Sequence, residues 1–257
     1  MDAATARTVG DIIALAGLVL LVSVGWAATR RRLLAPLGVF VFLFFVASQA
    51  TGLLISPPER GMGDLQKIMY VHVPSAWAFM IAFFMVFVAS ILYLWRRQVH
   101  HDRLAAAAAE AGAVLTALAL AQGMIWGKPT WGVWWTPDPR IAFTTVVLMI
   151  FAGYIALRAF TDDEERRARW SAAVGIVGAL NVPVVYMSVR WWRTLHQPQS
   201  TPSTVDPAYV IGLRLNAFAF LFLLLFLVAL RYRAMMADRK ADAILEDRAL
   251  KEDVAHV

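Results

Sequence analysis

Residues 73–95 read VPSAWAFMIAFFMVFVASILYLW, and Arg96 and Arg97 follow at once. No charge interrupts the stretch. At about 1.5 Å per helical residue it is long enough to cross the roughly 30 Å hydrocarbon core of a bilayer. Comparable apolar blocks fall at roughly 12–28, 34–55, 104–125, 141–158, 170–189 and 209–230. Hydrophobic residues make up 60% of the chain and charged residues 16%, with a mean hydropathy of +0.61. A soluble domain sits near half apolar and a quarter charged. The chain is therefore predicted to be an all-α, polytopic transmembrane helical bundle, with six core spans and an extra N-terminal span.

The first block is short and is followed by Arg30, Arg31 and Arg32. A signal peptide carries its positive charge ahead of the apolar run and needs a small-residue cleavage site. An extra span with its N-terminus outside fits better. Basic residues then set the orientation, because cytoplasmic connections collect Lys and Arg. With Arg30–Arg32 inside, alternate connections also place inside Arg96, Arg97 and Arg103, then Arg158, Arg166, Arg167 and Arg169. The tail, with Arg231, Arg233, Arg239, Lys240, Arg248 and Lys251, follows them. Sixteen of the 24 basic residues thus face inward. The outer side keeps Arg7, Arg60, Lys67, Lys128, Arg140, Arg190, Arg193 and Arg214. The bias holds in every inner connection. The 257 residues read as a single integral membrane domain: an N-terminal span in 1–33, a core over 34–235 and a cytoplasmic tail over 236–257.

Several functions are excluded or left to others. The net charge of +6 sits at the ends of apolar blocks, which argues for contact with the bilayer surface and against nucleic acid. There is no cysteine, so the chain does no thiol chemistry itself. No Gly-rich phosphate loop is present, so it does not hydrolyse ATP unaided. The inner connections, including the mixed-charge run 161–169 (TDDEERRAR), look like plain connectors, and the tail from Asp238 reads as a surface helix or a frayed end.

The unusual residues are on the outer side. Of five histidines, His100, His101 and His256 fall inside, whereas His72 and His196 fall in two separate outer connections. His72, in MYVHVPSAW, precedes Pro74, which the first turn of a helix tolerates. His196 lies in RWWRTLHQPQS, beside Trp191 and Trp192. Two neutral imidazoles from opposite sides suit six-coordinate heme iron. Either one alone is more ordinarily an interfacial histidine bonded to a neighbour.

Between them, WGKPTWGVWWTPDPR (126–140) places Trp126, Trp131, Trp134 and Trp135 within ten residues, out of ten tryptophans in the chain. Tryptophan favours membrane interfaces, so an aromatic belt is one explanation. Belts scatter rings over many span ends, however, and this segment concentrates them. Gly127 and Gly132 allow close turns, and Pro129, Pro137 and Pro139 are expected to keep the segment from becoming a regular helix. A rigid apolar platform for a flat ligand is the other explanation, and the residues alone leave the two balanced. Lys67 and Arg140 at this face match the carboxylates that heme carries, although flanking cations are also commonplace.

Together, MYVHVPSAW (69–77), WGKPTWGVWWTPDPR (126–140), NVPVVYMSV (181–189) and WWRTLHQ (191–197) resemble the heme-handling membrane proteins of cytochrome c assembly. The nearest resemblance is to the cytochrome c maturation protein C (CcmC, heme exporter protein C) family, over residues 34–235 or so. That resemblance implies six spans and an outer site for heme b held by two histidines. His72 and His196 would be its axial ligands. Trp126, Trp131, Trp134, Trp135 and Asp138 would form the Trp-rich platform, and Arg140 and Lys67 would meet the propionates. It also implies delivery of heme to the periplasmic chaperone CcmE, whose own histidine takes it covalently. Association with an ABC-type complex, whose other subunits supply the ATPase, is implied as well, all at the bacterial inner membrane. The chain departs from the pattern at Pro137, where an aromatic is usual, and in its extra N-terminal block. Rival readings are a membrane b-type cytochrome subunit with permanent heme and a small-molecule permease. Asn181 and Pro183 within a span are the hints for the latter.

Overall fold

The computed structural model describes residues 2–199 and 205–255. Its elements are helices: α1 (Ala3–Ala28), α2 (Leu34–Ala50), α3 (Met69–Arg96), α4 (Val99–Trp131), α5 (Pro139–Phe160), α6 (Glu164–Trp191) and α7 (Pro207–Ala255). All seven are long and apolar enough to cross a membrane, α2 together with the short helical turns at its ends, Arg31–Ile55. The two ends of the bundle are termed inner and outer after the charge bias.

The helices overrun the apolar blocks. Hydropathy registers only the apolar middle of a span, while the i to i−4 hydrogen-bond ladder continues through polar residues until a cap stops it. The α4 helix shows this best. Its 33 residues make a rod of about 50 Å, longer than the roughly 30 Å of hydrocarbon it crosses. Pro129 does not end it. Pro129 costs one backbone bond near the terminus, and Thr130 Oγ1 donates to the Trp126 carbonyl at 2.7 Å. The helix stops instead at Gly132, whose φ of 79° is the left-handed cap that only glycine adopts freely. The tail from Asp238 continues α7 as helix.

The α3 and α4 helices form the centre. Ala105 to Ala109 of α4 are all buried, right round the helix, and their small side chains let neighbouring backbones approach closely. A side chain on Gly112 would meet the Phe83 ring at 2.7 Å. Phe83 in turn stacks on Phe151 of α5 at 3.7 Å between centroids. The α1 helix runs parallel to α7, held by Arg214 to Asp11 at 2.8 Å near one end and by Arg233 to the Ala28 carbonyl at 3.2 Å near the other. The extra N-terminal block is thus a packed member of the bundle.

Two polar locks join helices. At the inner end Asp102 of α4 accepts both terminal nitrogens of Arg158 of α5, at 2.6 and 2.9 Å. Beside it Glu164 of α6 takes Arg103 at 2.7 Å and Arg239 of α7 at 3.3 Å. The connection 161–169 is therefore built into an ion network. Toward the outer end, buried Asn216 of α7 donates to the Ser48 and Gly212 carbonyls, each at 2.8 Å, and accepts from Gln49 at 2.6 Å. Asn216→Leu should cost about 1–3 kcal/mol by orphaning those partners. Thermal unfolding in detergent checks this, and an unshifted midpoint would count against the lock. Asn181, in α6, donates to the Phe143 carbonyl of α5 at 3.2 Å and so serves helix packing.

Candidate functional site

The outer ends of α3 to α7 enclose a cavity of about 770 Å³, lined among others by His72, His196, Trp126, Trp131, Arg140 and Tyr186. That volume falls within the roughly 300–1,000 Å³ typical of ligand sites. Each residue arrives by a local cause. His72 stands in the first turn of α3, because the helix begins at Met69, ahead of the apolar run. The sequence places it in a connection, and the difference arises because MYVH continues the helical ladder through Pro74. Ser75 Oγ lies 2.9 Å from both the His72 carbonyl and Gln122 Oε1, tying this turn to α4. The His72 ring lies over Gly123, where a side chain would come within 3.3 Å of Cε1. Its Nδ1 is buried and meets no hydrogen-bond partner among the described residues.

His196 comes from the opposite side, on the segment after α6. Its Nδ1 is 2.7 Å from the Gln197 carbonyl. A carbonyl can only accept, so Nδ1 carries the proton and Nε2 is left with its lone pair. Burial, and then the positive charge of Arg140, push the His196 imidazole below its usual pKa. It stays neutral at neutral pH, the form that binds metal. The His72 and His196 rings face each other at 6.2 Å between centroids, tilted by 36°. Two imidazole–metal bonds of about 2 Å, plus roughly 1 Å from each nitrogen to its ring centre, span about 6 Å. The pair therefore fits two ligands on one ion.

The Trp-rich segment divides. Trp126 and Trp131 belong to α4 and meet edge to face at 5.1 Å on the cavity wall. Trp134 and Trp135 lie beyond the Gly132 cap, 54% and 47% exposed, and do not line the cavity. Asp138 is 6% exposed and caps α5 by accepting from the Arg140 backbone N–H at 2.9 Å, with Pro139 at the first helical position. Arg140 then enters the cavity wall, its Nη1 buried and without a hydrogen-bond partner among the described residues.

A family model described as heme exporter protein C (CcmC) matches residues 5–246. The chain belongs to the heme exporter protein C family. The match takes in α1, so the first helix lies within the family pattern and not outside it. A heme exporter protein C of Bradyrhizobium diazoefficiens is 39% identical over 183 residues, 69% of this chain and 70% of that one. That of Escherichia coli K12 is 36% identical over 187 residues, 72% and 76% of the two chains. That of Haemophilus influenzae is 33% identical over 215 residues, 81% and 87%.

The sequence singled out nine site residues in this chain, and five of them line one cavity: His72, His196, Trp126, Trp131 and Arg140. Lys67 does not. It pairs with Asp64 at 2.8 Å on a short 3₁₀ turn, and Arg60 is the cation that the first outer connection presents to the cavity. Nothing in the sequence favours Arg60. It sits in a turn folded by Glu59, whose carboxylate accepts the Gly61 and Met62 N–H groups at 2.7 Å each. Tyr186 and Met69, Met80 and Met124 were also missed, because they are indistinguishable from span residues until the helices are packed. His100 and His101 adjoin each other at the inner end, 4.0 Å between ring centroids, and His256 lies outside the described residues.

Proposed function

We propose that this chain binds heme at the outer face of the bacterial inner membrane and passes it to the periplasmic chaperone CcmE for cytochrome c maturation. It would do so as the heme-holding member of an ABC-type complex whose ATPase is a separate subunit. The observation that carries this reading is the His72–His196 pair, 6.2 Å apart across a cavity of about 770 Å³. His72 and His196 would take the two axial positions of heme b, Trp126 and Trp131 would lie against the porphyrin, and Arg140 would meet a propionate. Lys67, Asp138, Trp134 and Trp135 would act from outside the cavity. The two exposed tryptophans form an apolar surface beside its mouth that suits a docking partner.

The role is to hold and release. One ligand on the first turn of a helix and the other on a connecting segment can separate at lower cost than two ligands buried at mid-span. That favours a transferable heme over a permanent cytochrome b site. The test is an absorption spectrum of the purified protein, oxidised and reduced, from heme-replete cells. Sharp low-spin bands are expected. A heme-free protein, or a high-spin spectrum alone, would sink the two-histidine assignment.

A further inference from the structure

The segment that carries His196 has no regular structure of its own; Gln199 donates to the Tyr186 carbonyl of α6 beyond the histidine, and a buried carboxylate anchors the residues just before it. Asp138 Oδ2 accepts the Thr194 hydroxyl at 2.6 Å and the Leu195 N–H at 2.7 Å. Oδ1 is engaged separately by the Arg140 N–H at the start of α5. Thr194 Oγ1 in turn accepts the His196 N–H at 3.0 Å. A continuous path of hydrogen bonds therefore runs from the first turn of α5 through Asp138 and Thr194 to the backbone of His196. Asp138 itself does not line the cavity, and both of its oxygens are engaged by protein groups.

We infer that Asp138 is a positioning residue for His196, fixing the height and direction of the second imidazole. This rests on the reading of His196 as an iron ligand. The two oxygens do different work, which explains why an acid suits the position. One oxygen caps the helix, where negative charge is favoured, and the other anchors the segment. An asparagine has a single acceptor oxygen and could do only one of these.

Two variants of the full chain separate the roles. Asp138→Ser keeps a capping oxygen for α5 but is too short to reach Thr194 and Leu195 as well. Thr194→Val leaves Asp138 and the cap intact and removes the hydroxyl relay. In the heme-free protein, amide hydrogen exchange over 192–199 should rise about tenfold in each variant, since each loses two of these hydrogen bonds: those of Thr194 and Leu195 to the carboxylate in Asp138→Ser, and the two made by the Thr194 hydroxyl in Thr194→Val. In the heme-loaded protein both should lose part of the low-spin signal, and added imidazole should restore it by filling the face that His196 vacates.

Unchanged exchange together with an unchanged spectrum in Asp138→Ser would overturn the inference. So would a lost spectrum that imidazole fails to restore while exchange stays at the parent level, since Asp138 would then act on the bound group. If Asp138→Ser does not accumulate, Thr194→Val decides by the same criteria. A parent with no two-histidine spectrum defeats the proposed function instead, and the exchange result then decides alone whether Asp138 holds the segment.

Discussion

His72→Ala and His196→Ala are each expected to abolish the low-spin heme spectrum or turn it high-spin, and the double variant should retain no specifically bound heme. The two rings face each other at the separation that two ligands on one ion require. Nδ1 of His72 has no hydrogen-bond partner among the described residues, and Nε2 of His196 keeps its lone pair because Nδ1 serves the Gln197 carbonyl. Loss of a ligand's hydrogen-bonding partner typically costs about 10–100-fold in metal affinity, so loss of the ligand should cost more. His100→Ala, at the exposed inner end, provides the control and should leave the spectrum as in the parent. Bands untouched by both outer substitutions would place the iron elsewhere. The Trp-rich segment would then be an interfacial belt or a docking surface only.

The largest effect on stability should come from the inner end. Asp102 is 4% exposed and grips Arg158 through two short bonds, with Arg103 a further 3.6 Å away. Removing one partner of a buried pair leaves the other charge without compensation, at a cost of roughly 3–5 kcal/mol. Asp102→Ala and Arg158→Ala should each lower the unfolding temperature in detergent sharply, whereas Asp102→Leu combined with Arg158→Met should recover much of the loss. Single variants that melt with the parent would show that the pair contributes nothing to holding α4 and α5 together. Because α4 runs on to carry Trp126 and Trp131, loosening its inner end should also weaken heme retention, which the same spectra report.

Much of this protein is legible from local sequence. Span number follows from apolar length, because backbone groups in lipid must bond within their own helix and each span is nearly an independent decision. The basic residues Arg30–Arg32, Arg96 and Arg97 mark span ends for the same local reason. The Trp-rich segment and the two histidines outside the apolar blocks were visible as anomalies, which is how the family resemblance arose. The resemblance began at residue 34 because α1 carries no such motif, yet the family match begins at residue 5. Helix ends were read less well, since capping is decided by single residues such as Gly132 and not by hydropathy. That error mattered: it made one loop of four tryptophans out of two on the cavity wall and two outside it.

Sequence by itself determined the all-helical membrane fold, the seven spans and the residue types available at the site. Only the tertiary structure decided which of them meet. His72 belongs to α3 and His196 to the irregular segment after α6, and their 6.2 Å separation depends on how α3, α5 and α6 pack. Arg60 lines the cavity and Lys67 does not, the lysine being paired instead with Asp64. Asp138 reads as a member of a motif, yet its reach to Thr194 and Leu195 exists only once α5 and the end of α6 are side by side. Spans are set by short-range bonding and transfer into lipid, both of which a window of residues contains. A site is set by the relative placement of helices, which depends on close packing between residues far apart in the chain.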